Sequence, residues 1–203
     1  MTCLVSIGIN MGTKGSANRQ RIVDAADHLF YSRGYNQTSF SDISDETGIP
    51  RGNFYYYFKT KEDILAAVVD ARLLVFKEML LACEKESTDP LQRLHGLTQF
   101  PLLHEEQVLQ YGCPIGSLSS ELVKEQDTEI SPMRLTAVFD LLKDWIEEQV
   151  NQLNLNKQSD EFAKDLLAKM QGIIVIANIY KDADFLHRGV KDIQNWLNQS
   201  LTS

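Results

Sequence analysis

Apolar residues recur at helical spacing along almost the whole chain. The first amphipathic segment follows the i, i+3, i+4, i+7, i+8 pattern of one helix face with Ile22, Ala25, Ala26, Leu29 and Phe30. Gly34 follows this segment and is typical of a helix end. No segment shows the alternating pattern of a strand, and no repeat or low-complexity tract occurs. The chain is therefore predicted to be all-α, with about nine helices.

Capping residues predict where several helices begin. Ser39 with Asp42 and Thr60 with Asp63 each match a capping box, in which two polar side chains satisfy the first backbone N–H groups. The helix after Thr60 continues unbroken to about Glu86, which gives a length of about 40 Å. Such a helix is long enough to link two parts of the molecule.

Proline positions predict further helix boundaries. Asp89-Pro90 and Ser131-Pro132 each combine an N-cap residue with proline at the first helical position. Pro101 is expected to kink or end the helix from Pro90. Ser159, with two acidic residues after it, is expected to open a helix to Tyr180, and residues 184–201 are predicted to form the last helix.

The segment from Ser39 to Lys61 has the pattern of a helix-turn-helix. A short amphipathic helix ends at Gly48, a tight turn passes through Ile49 and Pro50, and a second short helix begins. In DNA-binding proteins the second helix of this motif enters the major groove. The residues expected to contact DNA are Ser39, Ser41, Arg51, Gly52, Asn53, Tyr55, Tyr57 and Lys61.

The residue types of the second helix suit DNA. Arginine and asparagine can pair with base edges, while tyrosine hydroxyls and lysine can hold phosphates. The tyrosines at 55–57 could instead be core residues. Adjacent residues of a helix point about 100° apart, so all three cannot be buried on one face. At least one tyrosine is therefore expected to be exposed beside Arg51.

The same region, roughly residues 17–66, resembles the DNA-binding domain of the tetracycline-repressor (TetR) family. Residues 21–26, Leu29-Phe30, Gly34-Tyr35 and Thr38-Ser39 resemble the first helix of that domain and the turn after it. Asp42-Ile43 and Gly48-Ile49 resemble the second helix. Residues 54–62 resemble the recognition helix and the start of the fourth helix. Pro50 stands where the family more often has a capping serine, so the recognition helix is expected to start from a fixed φ.

The resemblance implies two domains. A three-helix DNA-binding domain is expected at 17–65, and a helical domain for effector binding and dimerisation at 66–203. It further implies a homodimer on a palindromic operator of double-stranded DNA, with an unidentified small molecule as effector. The preferred interpretation is a repressor that this effector releases from DNA.

The charge distribution agrees with two roles in one chain. The net charge is −8, yet residues 1–65 hold seven basic and seven acidic residues, so residues 66–203 carry the whole excess. The acidic part would repel DNA and help to orient the molecule. The basic residues of the N-terminal part form a local footprint of Lys14, Arg19, Arg21, Arg51, Lys59 and Lys61.

The composition favours a cytoplasmic protein without a cofactor or metal site. No run of about 18 apolar residues could span a membrane, and residues 1–9 lack the features of a signal peptide. Cys3, Cys83 and Cys113 are odd in number and widely spaced, which argues against a disulfide framework or a zinc site. Residues 1–16 are expected to form a disordered extension, and Met1 and Met11 are alternative start sites.

The helix at 159–180 is apolar on every side over residues 172–179, which predicts burial on every side. One face would pack on its own domain and the other on a second subunit, in a four-helix interface with the last helix. A single monomeric core is the alternative. The residues expected at the interface are Leu167, Gln171, Ile174, Asn178, Ile193, Trp196 and Leu197.

A small-molecule pocket is expected among helices 4 to 8, although each lining residue taken alone also fits an ordinary core position. His104 would supply a polar group. The candidate lining residues are Phe76, Met79, Leu80, Leu103, His104, Cys113, Phe139, Leu142, Trp145, Ile146 and Met170.

Cys113 lies in a segment, 111–118, where two glycines and a proline interrupt the helical pattern. The segment resembles a Gly-Cys element of one TetR branch, some of whose members sense electrophiles with this cysteine. A thiol near a helix N-terminus can be reactive, but a small buried residue that only packs is the favoured interpretation.

Two further functions agree less well with the sequence than a repressor does. An enzyme with Cys113 as nucleophile and His104 as base would need an orienting group and an oxyanion site, for which no signature exists. A DNA-binding protein without an effector leaves a large helical domain unexplained. The chain is therefore expected not to be an enzyme.

Overall fold

The computed structural model describes residues 14–123, 132–153 and 158–201. These residues form ten α-helices and no strand, which confirms the all-α class. The helices are α1 (Lys14–Arg33), α2 (Phe40–Thr47), α3 (Arg51–Tyr57), α4 (Lys61–Glu86), α5 (Pro90–Leu103), α6 (Glu105–Tyr111), α7 (Pro114–Leu122), α8 (Pro132–Gln152), α9 (Ser159–Tyr180) and α10 (Ala183–Leu201).

Both predicted capping boxes are present. The Ser39 hydroxyl accepts a hydrogen bond from the backbone of Asp42 at 3.3 Å, and the Asp42 carboxylate accepts one from the backbone of Ser39 at 2.7 Å. Thr60 and Asp63 make the same reciprocal pair at the start of α4. These local signals placed α2 and α4 correctly because each involves residues only three positions apart.

The other predicted helix boundaries agree in part. The helix that contains Pro101 continues to Leu103 before it ends, so the proline does not stop it at once. Helix α9 spans Ser159–Tyr180 as predicted, and its N-cap is Gln158. Ser131 lies outside the described residues, as do Met1, Cys3 and Met11. Residues 14–16, expected in the N-terminal extension, belong to α1.

The described residues form two apolar cores, and α4 contributes residues to both. We call residues 14–69 the head and the described residues from 70 onward the body. The head core contains α4 residues from Ile64 to Val69, and the body core contains Phe76, Leu80 and Cys83 from the same helix. The head core is completed by Leu118 and Leu122 of α7. The two cores are thus linked by one continuous helix and by a second helix from the body.

Among the described helices, none combines the length and the apolar character that a membrane span requires.

Candidate DNA interface and its links to the body

The turn between α2 and α3 is fixed by local hydrogen bonds. Gly48 ends α2 with φ of 65°, a left-handed conformation that side chains rarely adopt. The buried Ser44 hydroxyl donates to the carbonyl of Ile49 at 2.7 Å, and the Arg21 guanidinium on α1 donates to the carbonyl of Thr47 at 2.7 Å. The start of α3 is therefore fixed in position relative to α1 and α2.

Helix α3 is anchored by one side chain and exposes most of the others. Phe54 is fully buried, with its ring 6.2 Å from that of Phe40. Arg51, Gly52 and Asn53 are exposed, at the N-terminal end that reads bases in helix-turn-helix proteins. Pro50 is the N-cap, with φ of −56°, so the helix starts from the fixed φ that was expected.

The three tyrosines of α3 occupy different environments. Tyr55 is 51% exposed and stacks on Phe40, whereas Tyr56 is 81% exposed. Tyr57 is half-buried, and its hydroxyl accepts a hydrogen bond from Asn18 at 3.3 Å. The sequence indicates that at least one tyrosine is exposed, but it does not indicate which face of α3 Phe54 buries. Tyr56 is the most exposed of the three and is not among the predicted DNA contacts.

Two of the other predicted DNA contacts, Lys61 and Ser39, have structural partners within the head. The Lys61 ammonium donates to the carbonyls of Tyr35 and Thr38 at 2.9 and 3.0 Å, and it lies 3.9 Å from the centre of the Tyr35 ring. Lys61 thus joins the α1–α2 turn to α4, a role that was not predicted. Ser39 is exposed and caps α2, and Ser41 is half-buried.

Helix α1 of the head is tied to the turn between α6 and α7 of the body. The Arg72 guanidinium is buried, donates to Asp27 of α1 at 2.6 Å, and also donates to the carbonyl of Pro114. The Tyr31 hydroxyl lies 2.7 Å from the carbonyl oxygen of Gly112. Burial is the main reason that the pKa of Tyr31 is raised far above its ordinary value, so this hydroxyl stays a donor.

A second tie comes from α7. The Glu121 carboxylate accepts hydrogen bonds from the backbone of Tyr35 at 2.9 Å and of Asn36 at 2.6 Å. Gly34 precedes them with φ of 93°, and a Cβ there would lie only 3.1 Å from the carboxylate. Glycine is therefore required both for the turn and for the approach of Glu121. Sequence reasoning missed this tie because its partners are about 85 residues apart.

Cys113 is the N-cap of α7 and only 7% exposed. Its sulfur accepts hydrogen bonds from the backbone of Gly116 and from the Gln171 side chain, both at 3.3 Å. This environment favours the packing interpretation. The other described cysteine, Cys83, is buried in the body core, and burial raises the pKa of its thiol.

Two of the predicted pocket residues line a cavity formed by the described residues. Phe76 and His104 line a cavity of about 570 Å³ between the head and the body. Leu103 is 77% exposed, because it lies two residues beyond the buried Pro101 and so points to the opposite side of α5. The remaining candidates are buried in the body core or packed against it: Met79, Leu80, Cys113, Phe139, Leu142, Trp145, Ile146 and Met170.

The predicted interface residues also face inward for the most part. Ile174, Ile193 and Leu197 are buried in the chain's own core, which removes them from any surface that a second subunit could cover. Leu167, Gln171 and Trp196 are half-buried, as is Asn178, whose amide donates to the carbonyl of Leu109 at 2.8 Å. The exposed apolar residues of α9 are Val175, Ile176, Ile179 and Tyr180.

Sequence periodicity could not show which residues of α9 face outward. It indicates the buried face of a helix only when the opposite face is polar, and residues 172–179 are apolar on every side. We call Val175, Ile176, Ile179 and Tyr180 the α9 surface. A groove beside it, between α9 and α10, includes Gly172 and Trp196.

Comparison with known proteins places these features in a family. Residues 22–68, from α1 into α4, match the family model described as bacterial regulatory proteins, tetR family. An uncharacterized HTH-type transcriptional regulator of Lactococcus lactis subsp. lactis is 31% identical over 172 residues, which cover 83% of this chain and 87% of the relative.

Solved structures show the same fold. A TetR transcriptional regulator from Legionella pneumophila matches 95% of this chain and 100% of its own, with a TM-score of 0.78 and 20% identity. A TetR-family regulator from Cytophaga hutchinsonii matches 94% and 98%, with a TM-score of 0.81 and 17% identity. At such identities the structural likeness shows the fold alone, but together with the relative and the family model it leads to one conclusion. The chain belongs to the tetR family and is a helix-turn-helix transcriptional regulator.

Proposed function

We propose that this regulator is a cytoplasmic repressor that binds a palindromic operator as a homodimer and leaves it when a small molecule binds the body. The observation that carries the proposal is the exposed end of α3 on a head that is tied to the body at three places. Nothing in this role requires catalysis.

The α3 surface supports operator recognition. Arg51 and Asn53 stand exposed at the N-terminal end of the helix, where their side chains can pair with base edges. Tyr55 and Tyr56 offer hydroxyl groups to the phosphates on either side. Phe54 in the head core fixes the rotation of the helix, so these groups face DNA together.

The α9 surface supports dimerisation. Its four exposed apolar residues lie on one helix, and Gly172 nearby leaves space for close approach of another helix, since no atom lies within 4 Å of a Cβ built there. Two copies that pack this surface against each other would bury it from water. Two-fold symmetry would then place two α3 helices on two half-sites of DNA.

The three ties support coupling between effector and DNA. Three connections join the head to the body. They are the continuous α4, the hydrogen bonds of α1 residues with Arg72 and Gly112, and the hydrogen bonds of Glu121 with the α1–α2 turn. A movement of the body would therefore move the head. An effector that favours another arrangement of the body would therefore shift the spacing of the two heads. A coupling free energy of about 1–3 kcal/mol is typical of such systems.

Electrophile sensing through Cys113 is the second candidate. Its sulfur lies at the start of α7 and accepts hydrogen bonds from two N–H groups. Its burial opposes rapid modification. Brief treatment of the native protein with N-ethylmaleimide, followed by mass spectrometry, separates the two interpretations: labelling of Cys113 with release of DNA means sensing, and labelling only on unfolding means packing.

Selection of DNA fragments from a random library by the purified protein tests the main proposal. We expect enrichment of sequences with two inverted half-sites, and loss of this enrichment in the Arg51→Ala variant. Enriched sequences without two-fold symmetry would contradict the dimeric operator.

A further inference from the structure

The cavity of about 570 Å³ lies where the head meets the body. One wall is the side of α1 that carries Val23, a second is the side of α4 that carries Ala71 and Val75, and the third comes from α5 and α6. Its volume falls within the range of about 300–1,000 Å³ typical of small-molecule sites. The cavity is therefore large enough for a ligand that touches both parts of the protein.

The walls of the cavity are mainly apolar. The rings of Phe76 and Phe100 line it and lie 5.2 Å apart between their centres. His104 packs next to Phe100, at 4.5 Å between ring centres. Partial burial lowers the pKa of His104, so this side chain is neutral above pH 7 and contributes no charge. Rings of this kind pack well against a flat aromatic molecule.

One strong hydrogen-bond donor of the lining lacks an acceptor. Arg72 lines the cavity and is only 7% exposed. Its Nε donates to Asp27 at 2.6 Å, and its Nη1 donates to the carbonyl of Pro114. The remaining nitrogen, Nη2, is buried and has no hydrogen-bond partner among the described residues. A buried charged donor without an acceptor is destabilising, so a ligand oxygen at Nη2 would gain a strong hydrogen bond.

The charges of the lining do not favour an anion. Three carboxylates line the cavity together with two guanidinium groups, namely Asp24, Asp27 and Asp70 with Arg19 and Arg72. Asp24 accepts a hydrogen bond from Gln20 at 2.8 Å, and the Arg19 guanidinium lies over the Phe58 ring at 4.8 Å. A ligand carboxylate at Arg72 would be repelled by Asp27, which is already bound to the same guanidinium. A neutral carbonyl oxygen avoids this repulsion between two full charges.

We propose that this cavity is the effector site and that its ligand is a neutral aromatic molecule with a carbonyl oxygen. The ring system packs on Phe76 and Phe100, and the oxygen accepts a hydrogen bond from Nη2 of Arg72. The regulatory meaning of this site rests on the function proposed above, which it deepens by naming the site and the ligand class.

The arginine that receives the ligand also ties the head to the body. Arg72 joins Asp27 of α1 to the carbonyl of Pro114 at the start of α7, and all three residues line the cavity. A ligand that bonds to Arg72 and packs on α1 and α5 therefore binds best in one position of the head. Binding would stabilise that position relative to all others.

Calorimetric titration with three naphthalenes of nearly the same shape, substituted at the same ring position, tests the ligand class. Acetylnaphthalene carries the carbonyl oxygen, isopropenylnaphthalene replaces this oxygen by a CH₂ group, and naphthoate is an anion. We expect the ketone to bind about tenfold or more tightly than the alkene, because only the ketone supplies an acceptor for the charged donor. Naphthoate should also bind more weakly than the ketone. A ketone affinity that does not exceed both of the others, or no binding of any compound, would overturn the proposal.

Two tryptophan substitutions on α4 locate the binding site. Val75→Trp adds a large side chain to the cavity wall at a position that is 48% exposed, and it should weaken both the ketone and the alkene at least tenfold. Leu81→Trp, at a position of the same helix that is 50% exposed and lies outside the lining, is the matched control. Unchanged ketone binding in Val75→Trp, or an equal loss in Leu81→Trp, would show that the ligand binds elsewhere.

The hydrogen bond itself is tested in two ways. Arg72→Lys keeps a positive charge beside Asp27 but removes Nη2, so it should weaken the ketone about tenfold and leave the alkene unchanged. In the wild-type protein, the carbonyl stretching frequency of isotope-labelled acetylnaphthalene should be lower when bound than in hexane, because a hydrogen bond to a guanidinium weakens the C=O bond. An unshifted frequency would refute the contact with Arg72, whether or not Arg72→Lys folds.

Operator binding is measured in parallel without the naphthalene compounds, which separates this proposal from the proposed function. A protein that binds an inverted-repeat operator but not acetylnaphthalene refutes the cavity alone. A protein that binds the three compounds in the expected order but shows no specific DNA binding supports the cavity and refutes the repressor function.

Discussion

Two exposed surfaces of this regulator differ in chemistry and in how the chain builds them. The α3 surface carries Arg51, Asn53 and two tyrosines on a seven-residue helix, and one buried phenylalanine sets its rotation. The α9 surface carries only apolar residues and Tyr180, and it lies on a helix of 22 residues that packs along the body. The first suits a polyanion with hydrogen-bonding edges, and the second suits another apolar surface.

The comparison shows why the two surfaces depend on different ranges of sequence. The cap, turn and anchor of α3 all lie within about 20 residues, from Ser39 to Phe58. The orientation of α9 depends on α6, α8 and α10, which pack around its other faces. A local motif can therefore predict the first surface but not the second.

The largest expected effect comes from a charge on the α9 surface. Ile179→Glu would place a carboxylate in the proposed interface between subunits, where an unpaired buried charge would cost about 3–5 kcal/mol. We expect the mass from light scattering to fall from two chains to one chain of 23.1 kDa, with loss of operator binding and an unchanged helical spectrum.

Two controls sharpen this test. Leu81→Glu changes an equally apolar residue, 50% exposed on α4, and should leave the dimer intact. Ile174→Glu buries the charge in the chain's own core and should unfold the protein instead of dissociating it. A wild-type mass of one chain would contradict the dimer and the two half-sites together.

The α3 surface gives the next largest effect. Arg51→Ala should weaken operator binding by about 1–3 kcal/mol and relax the preference at one base position, as expected for a lost base contact. Gel-shift titrations on the operator and on single-base variants measure both effects. Lys85→Ala, which removes one exposed positive charge at the far end of α4, is the control for net charge. Unchanged affinity and preference in Arg51→Ala would show that α3 does not read DNA.

These surfaces show which features of the structure could be predicted from the sequence. Helix class, both capping boxes, the turn at Gly48 and the span of α4 were predicted, because each depends on neighbours in sequence. Which tyrosines of α3 face outward depends on the burial of Phe54. The burial of Ile174 and the exposure of Leu103 do not follow from local sequence, since the choice between inside and outside depends on tertiary packing. The bonds of Glu121 and Lys61 join residues distant in sequence that no local pattern marks.

A smaller effect is expected where the head is tied to the body. Tyr31→Phe removes the hydroxyl that bonds to Gly112, and it should lower the free energy of unfolding by about 0.5–1.5 kcal/mol. Hydrogen exchange should become faster in residues 107–114 and in the facing part of α1. Tyr111→Leu, which removes the ring packed 5.2 Å from Tyr31, is the control. Faster exchange in the control alone would assign the tie to ring packing and not to the hydroxyl.

The smallest effect concerns acid stability at the start of α2. The hydrogen bond from the Ser39 side chain is the main cause that lowers the pKa of Asp42, with the Ser39 backbone and Arg33 adding to it. Because the folded pKa is lower than the unfolded one, this carboxylate stabilises the head above the ordinary aspartate pKa of about 4, and the contribution is lost as pH falls through the folded pKa. Urea unfolding of wild type and Ser39→Ala between pH 6 and pH 2 should therefore show a stability difference that shrinks below about pH 4. Asp42→Asn removes the titrating group, so the serine substitution in that background should cost the same at every pH. A difference in wild type that is independent of pH would mean that the cap acts through the serine hydroxyl alone. The charge of Asp42 would then not stabilise α2.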